Sequence, residues 1–371
     1  KTGGDDLRPE TFLVYFENIG TRTDPRLVRR EFPRTGNFPR DILGTPRAVD
    51  FNSDGLIDLV VSANSNLYLF PNVGTPSEPQ FDVTSPRLPS VWGYAPLPTW
   101  GLQFLDYNGD GRRDFLSMFG IYLQTEPGVY VREELLAPDC HIEHPPPHGD
   151  PWTFTQLADL NGDGRPDLLF GTHEGNVWLH VADPTLSKRF DTRGIPLRMS
   201  TGEPIHVGPK AGQDIKDFTI LQGSRTTLTV ADFDADGRLD IVVGETDGLS
   251  FYFRNVGSKS EPVFERSHDF ESLGIRMVPF AADWDNDGKI DVVGSAANGK
   301  VVVWKNLGGG KFGKGEPLLI PPVPYGPSVS VADWNGDGDE DLIVGTAYGY
   351  FCWFERSYLD RGMIAAERIE K

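Results

Sequence analysis

With 371 residues, 38% of them hydrophobic and 11% aromatic, the chain has the means to bury a core, and wholesale disorder is excluded. The formal charge of −19 argues against nucleic acid or an anionic membrane as partner, since both reward basic surfaces. No apolar run reaches the ~18 residues that a membrane-spanning helix needs, and two cysteines far apart, Cys140 and Cys352, make no disulfide framework.

The chain opens with "KTGGDD", which suits a processed secreted protein or a trimmed one. The first strand-like stretch, "TFLVYFENIGTRTDPRLV" from Thr11, alternates apolar and polar residues and predicts two strands without a preceding acidic loop. Six copies of D-x-[DN]-x-D-G-x-x-D then follow, each running into an apolar stretch. They start at Asp50, Asp106, Asp159, Asp232, Asp283 and Asp333, with spacings of 56, 53, 73, 51 and 50 residues. A period near fifty means stacked or radial units.

Each unit shares further parts. An alternating stretch such as "TTLTVADF" precedes the loop; "LDIVVGE", "GLSFYFRNVG" and "SEPVFERS" follow it. Four short antiparallel strands per unit are predicted, and such units around an axis make an all-β fold, a β-propeller of four-stranded antiparallel blades. Six full units and the N-terminal half unit leave a seven-bladed ring two strands short. Seven blades in a single domain over residues 1–371 is the expectation, with six as the alternative, and an insertion over 183–225 is one source of the missing pair.

The aspartates at alternate loop positions predict a hard cation. Ca²⁺ takes six to eight oxygen ligands, and carboxylates on a tight loop supply most of them. Positions one, three, five and nine offer side chains and position seven its carbonyl. The sets are Asp50, Asn52, Asp54, Leu56 and Asp58; Asp106, Asn108, Asp110, Arg112 and Asp114; and Asp159, Asn161, Asp163, Arg165 and Asp167. The later three are Asp232, Asp234, Asp236, Arg238 and Asp240; Asp283, Asp285, Asp287, Lys289 and Asp291; and Asp333, Asn335, Asp337, Asp339 and Asp341. About six Ca²⁺ ions would neutralise much of the acidic charge. Loops four and five carry four carboxylates each against three elsewhere, which by count alone predicts the tightest binding there. An EF-hand needs a Glu at position twelve; that position is Val61 in the first copy and Val243 in the fourth, inside strand-like runs, so the EF-hand is excluded.

These loops resemble the calcium-binding blades of FG-GAP or VCBS-repeat proteins, similar to the propeller of integrin α-subunits, over about Thr11 to Gly349. The resemblance implies a calcium-stabilised propeller that is secreted, periplasmic or on the cell surface. It implies little about activity, because such folds serve as adhesion modules, lectins and polysaccharide-degrading enzymes.

Departures from the repeat are where function is sought. "CHIEHPPPHGDPW" holds His141, His144 and His148, candidates for a general base or metal ligands, and Trp152, a ring that could stack on a sugar face, against the plain reading of a proline-stiffened surface loop. The insertion carries Arg189, Arg193, Arg198 and His206, a basic set that would suit an acidic sugar, unless the segment simply supplies strands. Loop aromatics such as Phe51, Tyr107, Trp284 and Trp334 read as packing between blades. No phosphate loop, nucleophile elbow or zinc-protease motif occurs. The first expectation is a secreted binder of a glycan or another extracellular ligand. The alternatives are a lyase acting on a uronic-acid glycan and a protein–protein adhesion module.

Overall fold

In the computed structural model, the described residues are 14–18, 27–31, 44–82 (less 53, 64, 65 and 77), 103–133 (less 113, 118, 119, 127 and 128), 154–208 (less 173, 174, 184, 186–189 and 191–193), 226–320 (less 319), 328–332, 338–345, 351–354 and 356. Among them no helix is long and apolar enough to cross a membrane.

The described strands are all antiparallel and each sheet is built in chain order. A hairpin of β1 (Val14–Asn18) and β2 (Leu27–Glu31) comes first. β3 (Gly44–Val49), β4 (Asp58–Ala63) and β5 (Asn66–Phe70) form a three-stranded sheet. The next sheet has four: β6 (Gln103–Leu105), β7 (Asp114–Ser117), β8 (Gly120–Glu126) and β9 (Val129–Glu133). So does the third, with β10 (Phe154–Ala158), β11 (Asp167–Gly171), β12 (Val177–His180) and β13 (Ile195–Pro196). The fourth is β14 (Thr227–Ala231), β15 (Asp240–Gly244), β16 (Ser250–Asn255) and β17 (Phe264–Phe270). The fifth is β18 (Met277–Ala282), β19 (Asp291–Ala296), β20 (Val301–Trp304) and β21 (Glu316–Pro317). The last contains β22 (Ser328–Ala332), β23 (Asp341–Gly345) and β24 (Phe351–Phe354).

The core lies between sheets rather than within one. The second strand of each unit is apolar at consecutive positions because neighbours cover both of its faces. On β15, Ile241 and Val243 pack with Leu169 and Leu179 of the preceding sheet, while Val242 turns to Met277, Val292 and Trp304 of the following one. Similar clusters join the β3–β5 sheet to the β6–β9 sheet, through Phe51, Val60, Phe115 and Tyr122, and the β18–β21 sheet to the β22–β24 sheet, through Val293, Val303, Val329 and Leu342. Each such side chain, fully buried, contributes about 1.5–3 kcal/mol. β22 and β23 also lie against β3, so the last sheet neighbours the first loop-bearing one, and the β1–β2 hairpin lies beside β24. Antiparallel sheets that pack face to face in sequence and return on themselves are the architecture of a β-propeller.

The insertion belongs to its own sheet. β13 is the outer strand against β12, and Leu197, Ile205 and Val207 are buried in the same cluster as Leu179. Residues Arg198 to Pro204 then form a small hairpin whose Met199 bridges Phe264 of the next sheet. The described part of the segment is thus a packed strap between two sheets. It adds one outer strand to the third repeat's sheet and, among the described residues, no further pair.

Candidate metal centres

Each acidic loop joins the first strand of a sheet to the second. In the register, the residue before position one faces position nine: Val49 opposite Asp58, Leu105 opposite Asp114, Ala158 opposite Asp167, Ala231 opposite Asp240, Ala282 opposite Asp291 and Ala332 opposite Asp341. The loops are therefore β-to-β connections, and position nine is the first residue of a strand. Glycine at position six is required by conformation: φ is +87° at Gly55, +83° at Gly111, +85° at Gly164, +84° at Gly237, +82° at Gly288 and +91° at Gly338.

Position one holds the loop closed. Asp50 accepts from the N–H groups of Asp54 and Gly55, both at 3.1 Å, and Asp54 accepts from that of Leu56 at 2.8 Å. The same triplet recurs at Asp106, Asp159, Asp232 and Asp283. Both oxygens of the position-one carboxylate thus face backbone N–H groups of the turn. In loop four, Asp232, Asp234 and Asp236 bring one carboxylate oxygen each within 4.8 Å of one another, and in loop five Asp283, Asp285 and Asp287 do the same.

In the first three loops position three is Asn, and its amide donates to the position-five carboxylate: Asn52 to Asp54 and Asn108 to Asp110, each at 2.9 Å, and Asn161 to Asp163 at 3.4 Å. Position-seven side chains reach back over the loop as cations. Arg112 pairs with Asp110 at 2.6 Å and Arg165 with Asp163 at 2.7 Å; Arg238 pairs with Asp236 and Lys289 with Asp287.

Position nine does something that the ligand pattern did not reveal. Its buried carboxylate accepts an N–H from the end of the third strand in all six repeats. Asn72 donates to Asp58 at 2.8 Å, Gln124 to Asp114 at 2.8 Å, Ala182 to Asp167 at 2.9 Å, and Asn255, Asn306 and Arg356 to Asp240, Asp291 and Asp341 at 2.7 Å. Its second oxygen takes the position-two N–H in several loops, from Phe51 at 3.0 Å, Tyr107 at 2.9 Å and Trp284 at 3.1 Å. Position nine thus staples the loop to two strands. Burial pushes Asp58, Asp240 and Asp291 up to about 6 against the pull of these donors, and raises Asp114 and Asp167 in the same way.

The residues fit a hard divalent cation. The donor set is all oxygen, the carboxylates converge, and Asp285 keeps one buried oxygen, Oδ1, with no hydrogen-bond partner among the described residues. Asp333, Asn335 and Asp337 lie outside the described residues, whereas Asp339 and Asp341 are described. Of the loop aromatics, Phe51 and Trp284 pack as expected from sequence, Tyr107 is half-buried, and Trp334 lies outside the described residues. Phe51, Phe233 and Trp284 are buried between sheets, and the Arg356 guanidinium lies 4.2 Å from the centre of the Trp284 ring.

Of the other candidates, His141, His144, His148, Trp152, Arg189 and Arg193 lie outside the described residues. Arg198 is exposed and donates to the Gly202 carbonyl at 2.8 Å; half-buried His206 meets the Asn176 side chain at 3.1 Å. Both are anchored within the strap.

Packed repeat sheets with acidic loops on their first turns define a loop-bearing repeat propeller. The family described as FG-GAP-like repeat matches residues 50–117, 232–294 and 283–344, so the β-propeller carries FG-GAP-like repeats over these regions. No protein of curated function matches the sequence. Among solved structures, the chain is similar to an Agrocybe aegerita lectin described as recognising non-reducing terminal N-acetylglucosamine, with 19% identity, a TM-score of 0.49, and coverage of 86% of this chain and 83% of that one. It is similar to a mutant of AofleA from Arthrobotrys oligospora, with 8% identity, a TM-score of 0.48, and coverage of 85% and 88%. It also resembles the Photorhabdus luminescens Tc holotoxin pore at 18% identity and a TM-score of 0.44, where 89% of this chain covers 16% of that one.

Proposed function

We propose that this chain is a calcium-stabilised propeller that acts outside the cell as a binding module, with a glycan as its ligand. The observation that carries the calcium part is the convergence of three carboxylates in each of loops four and five, with one buried oxygen of Asp285 in loop five left without a hydrogen-bond partner among the described residues. Positions one, three, five and nine would hold Ca²⁺ with the position-seven carbonyl, and the ion would offset the mutual repulsion of these groups. An extracellular setting suits exposed loops of this kind, because calcium is abundant there.

The ring reads as six sheets closed by β22 against β3, with the β1–β2 hairpin at the outer edge of the last sheet. That favours six blades over seven. The ligand part is supported by a feature repeated around the loop-bearing end: Val73, Val256 and Leu307 occupy the same place after the Asn that ends the third strand, and all three stand exposed. An exposed apolar side chain at this place in three of the six repeats suits a shallow contact such as the apolar face of a sugar ring.

The test is retention of the full chain on a panel of neutral and acidic polysaccharides, in calcium and in chelator, with bound calcium measured on the same sample. Calcium-dependent retention supports the reading. Retention on no glycan, with calcium bound, would turn it toward a protein ligand, and ultraviolet absorbance growing with time would reveal eliminative cleavage instead.

A further inference from the structure

Loops four and five differ from the first three in two linked ways. Their position three is aspartate instead of asparagine, and the residue one before the staple donor on the third strand is a cation. That residue is Arg254 in loop four's sheet and Lys305 in loop five's; it is Pro71, Leu123 and Val181 in the other three. The extra cation meets the extra carboxylate. Arg254 Nε donates to Asp234 Oδ2, its Nη2 lies 3.6 Å from Asp236, and the Asp234 side chain is left only 2% exposed. Lys305 Nζ lies 3.2 Å from Asp285 Oδ2.

Charge bookkeeping then reverses the expectation drawn from counting carboxylates. Loop two sets three carboxylates against Arg112 and Arg113, and loop three sets three against Arg165. Loops four and five set four against two, and loop one sets three against none, because its position seven is Leu56. By net charge, loops four and five are no more electronegative than loop three and less so than loop one.

We propose that Arg254 and Lys305 are tethered counter-ions that hold loops four and five together without metal and compete with calcium for Asp234 and Asp285. The inference rests on the calcium reading above. An ion entering loop four takes an oxygen of Asp234 from under the guanidinium, so part of its attraction is spent on displacing a cation that is already bound. In loop five the ammonium sits on Oδ2 while Oδ1 is left without a partner, which is the oxygen an ion would take first. The fourth and fifth sheets are then the part of the ring least dependent on calcium.

The test compares the full-length protein with Arg254→Met, the milder Arg254→Gln, and Lys305→Met. Arg266→Met, which removes a guanidinium paired with Asp269 and set over the Phe251 ring, remote from the loops, is the control. Calorimetric calcium titration and thermal unfolding in chelator and in saturating calcium are the readouts. Each loop variant is expected to tighten one calcium site roughly tenfold and to melt below wild type in chelator, with the deficit closing in calcium. The control shifts equally in both. An equal deficit with and without calcium at unchanged affinity, or a weakened affinity, would overturn the proposal. If wild type takes up no calcium, the calcium reading falls and this inference with it. If wild type binds calcium and the variants match it, this inference alone falls.

Discussion

Loops one to three and loops four and five solve the same electrostatic problem differently. The first group swaps a carboxylate for an amide, and Asn52, Asn108 and Asn161 bond the neighbouring acid instead of repelling it. The second group keeps the carboxylate and brings a cation from the third strand. Both share the position-nine staple. One loop skeleton therefore carries two charge designs.

The largest expected effect is removal of metal. If the loops hold calcium, chelation should lower the thermal midpoint by about 10 °C, since each saturated site contributes about 2.7 kcal/mol at a hundredfold excess over its dissociation constant. Hydrogen exchange would sharpen the comparison, with the β3–β5 sheet opening before the β14–β17 sheet. A midpoint indifferent to chelator would break it. Next come the staples. Asp58→Ala strands the buried N–H groups of Phe51 and Asn72 and should cost about 3 kcal/mol in denaturant unfolding. Asp240→Ala should cost a similar amount, because the staple is common to both loop classes; a large difference would tie the staple to the charge design.

A smaller effect tests the fourth sheet at the end away from its loop. Glu245 follows β15, is 2% exposed and has a carboxylate oxygen without a hydrogen-bond partner among the described residues. Burial, with Asp247 nearby, raises its carboxyl above the ordinary 4.5. The folded state therefore holds the proton more tightly than the unfolded chain does. This contribution is greatest below the ordinary value and is lost as pH rises through the raised one. Glu245→Gln should flatten that slope and stabilise the protein by about 1 kcal/mol at neutral pH, as read by urea titrations across pH. The smallest effect concerns loop four's turn. Position four has φ of +74° at Gly109 and +71° at Gly162, but the same region is occupied by Ala235 at +59° and Asn286 at +55°. Ala235→Gly should relax that strain by about 0.5–1 kcal/mol, and an unchanged midpoint would show that loop four absorbs it elsewhere.

Much of this was legible from the chain alone. The period near fifty, the alternation and the runs after each loop specify antiparallel repeat sheets, because a two-residue period and Gly-bounded turns are local properties. Asp at alternate positions with Gly at six specifies a tight oxygen-lined turn for the same reason. Tertiary structure decided what depends on partners distant in sequence. Asp58 and Asp240 read as ligands in the motif, and only the packing shows that their oxygens also meet N–H groups 14 and 15 residues away. Arg254 is an ordinary strand residue until β16 pairs with β15 and sets it over Asp234, 20 residues earlier. The basic insertion reads as a free loop until Leu197, Ile205 and Val207 are seen buried with the neighbouring sheet. Composition and spacing determine which groups a repeat carries; only the packing of sheet on sheet determines which opposite charge, donor or apolar face each one meets.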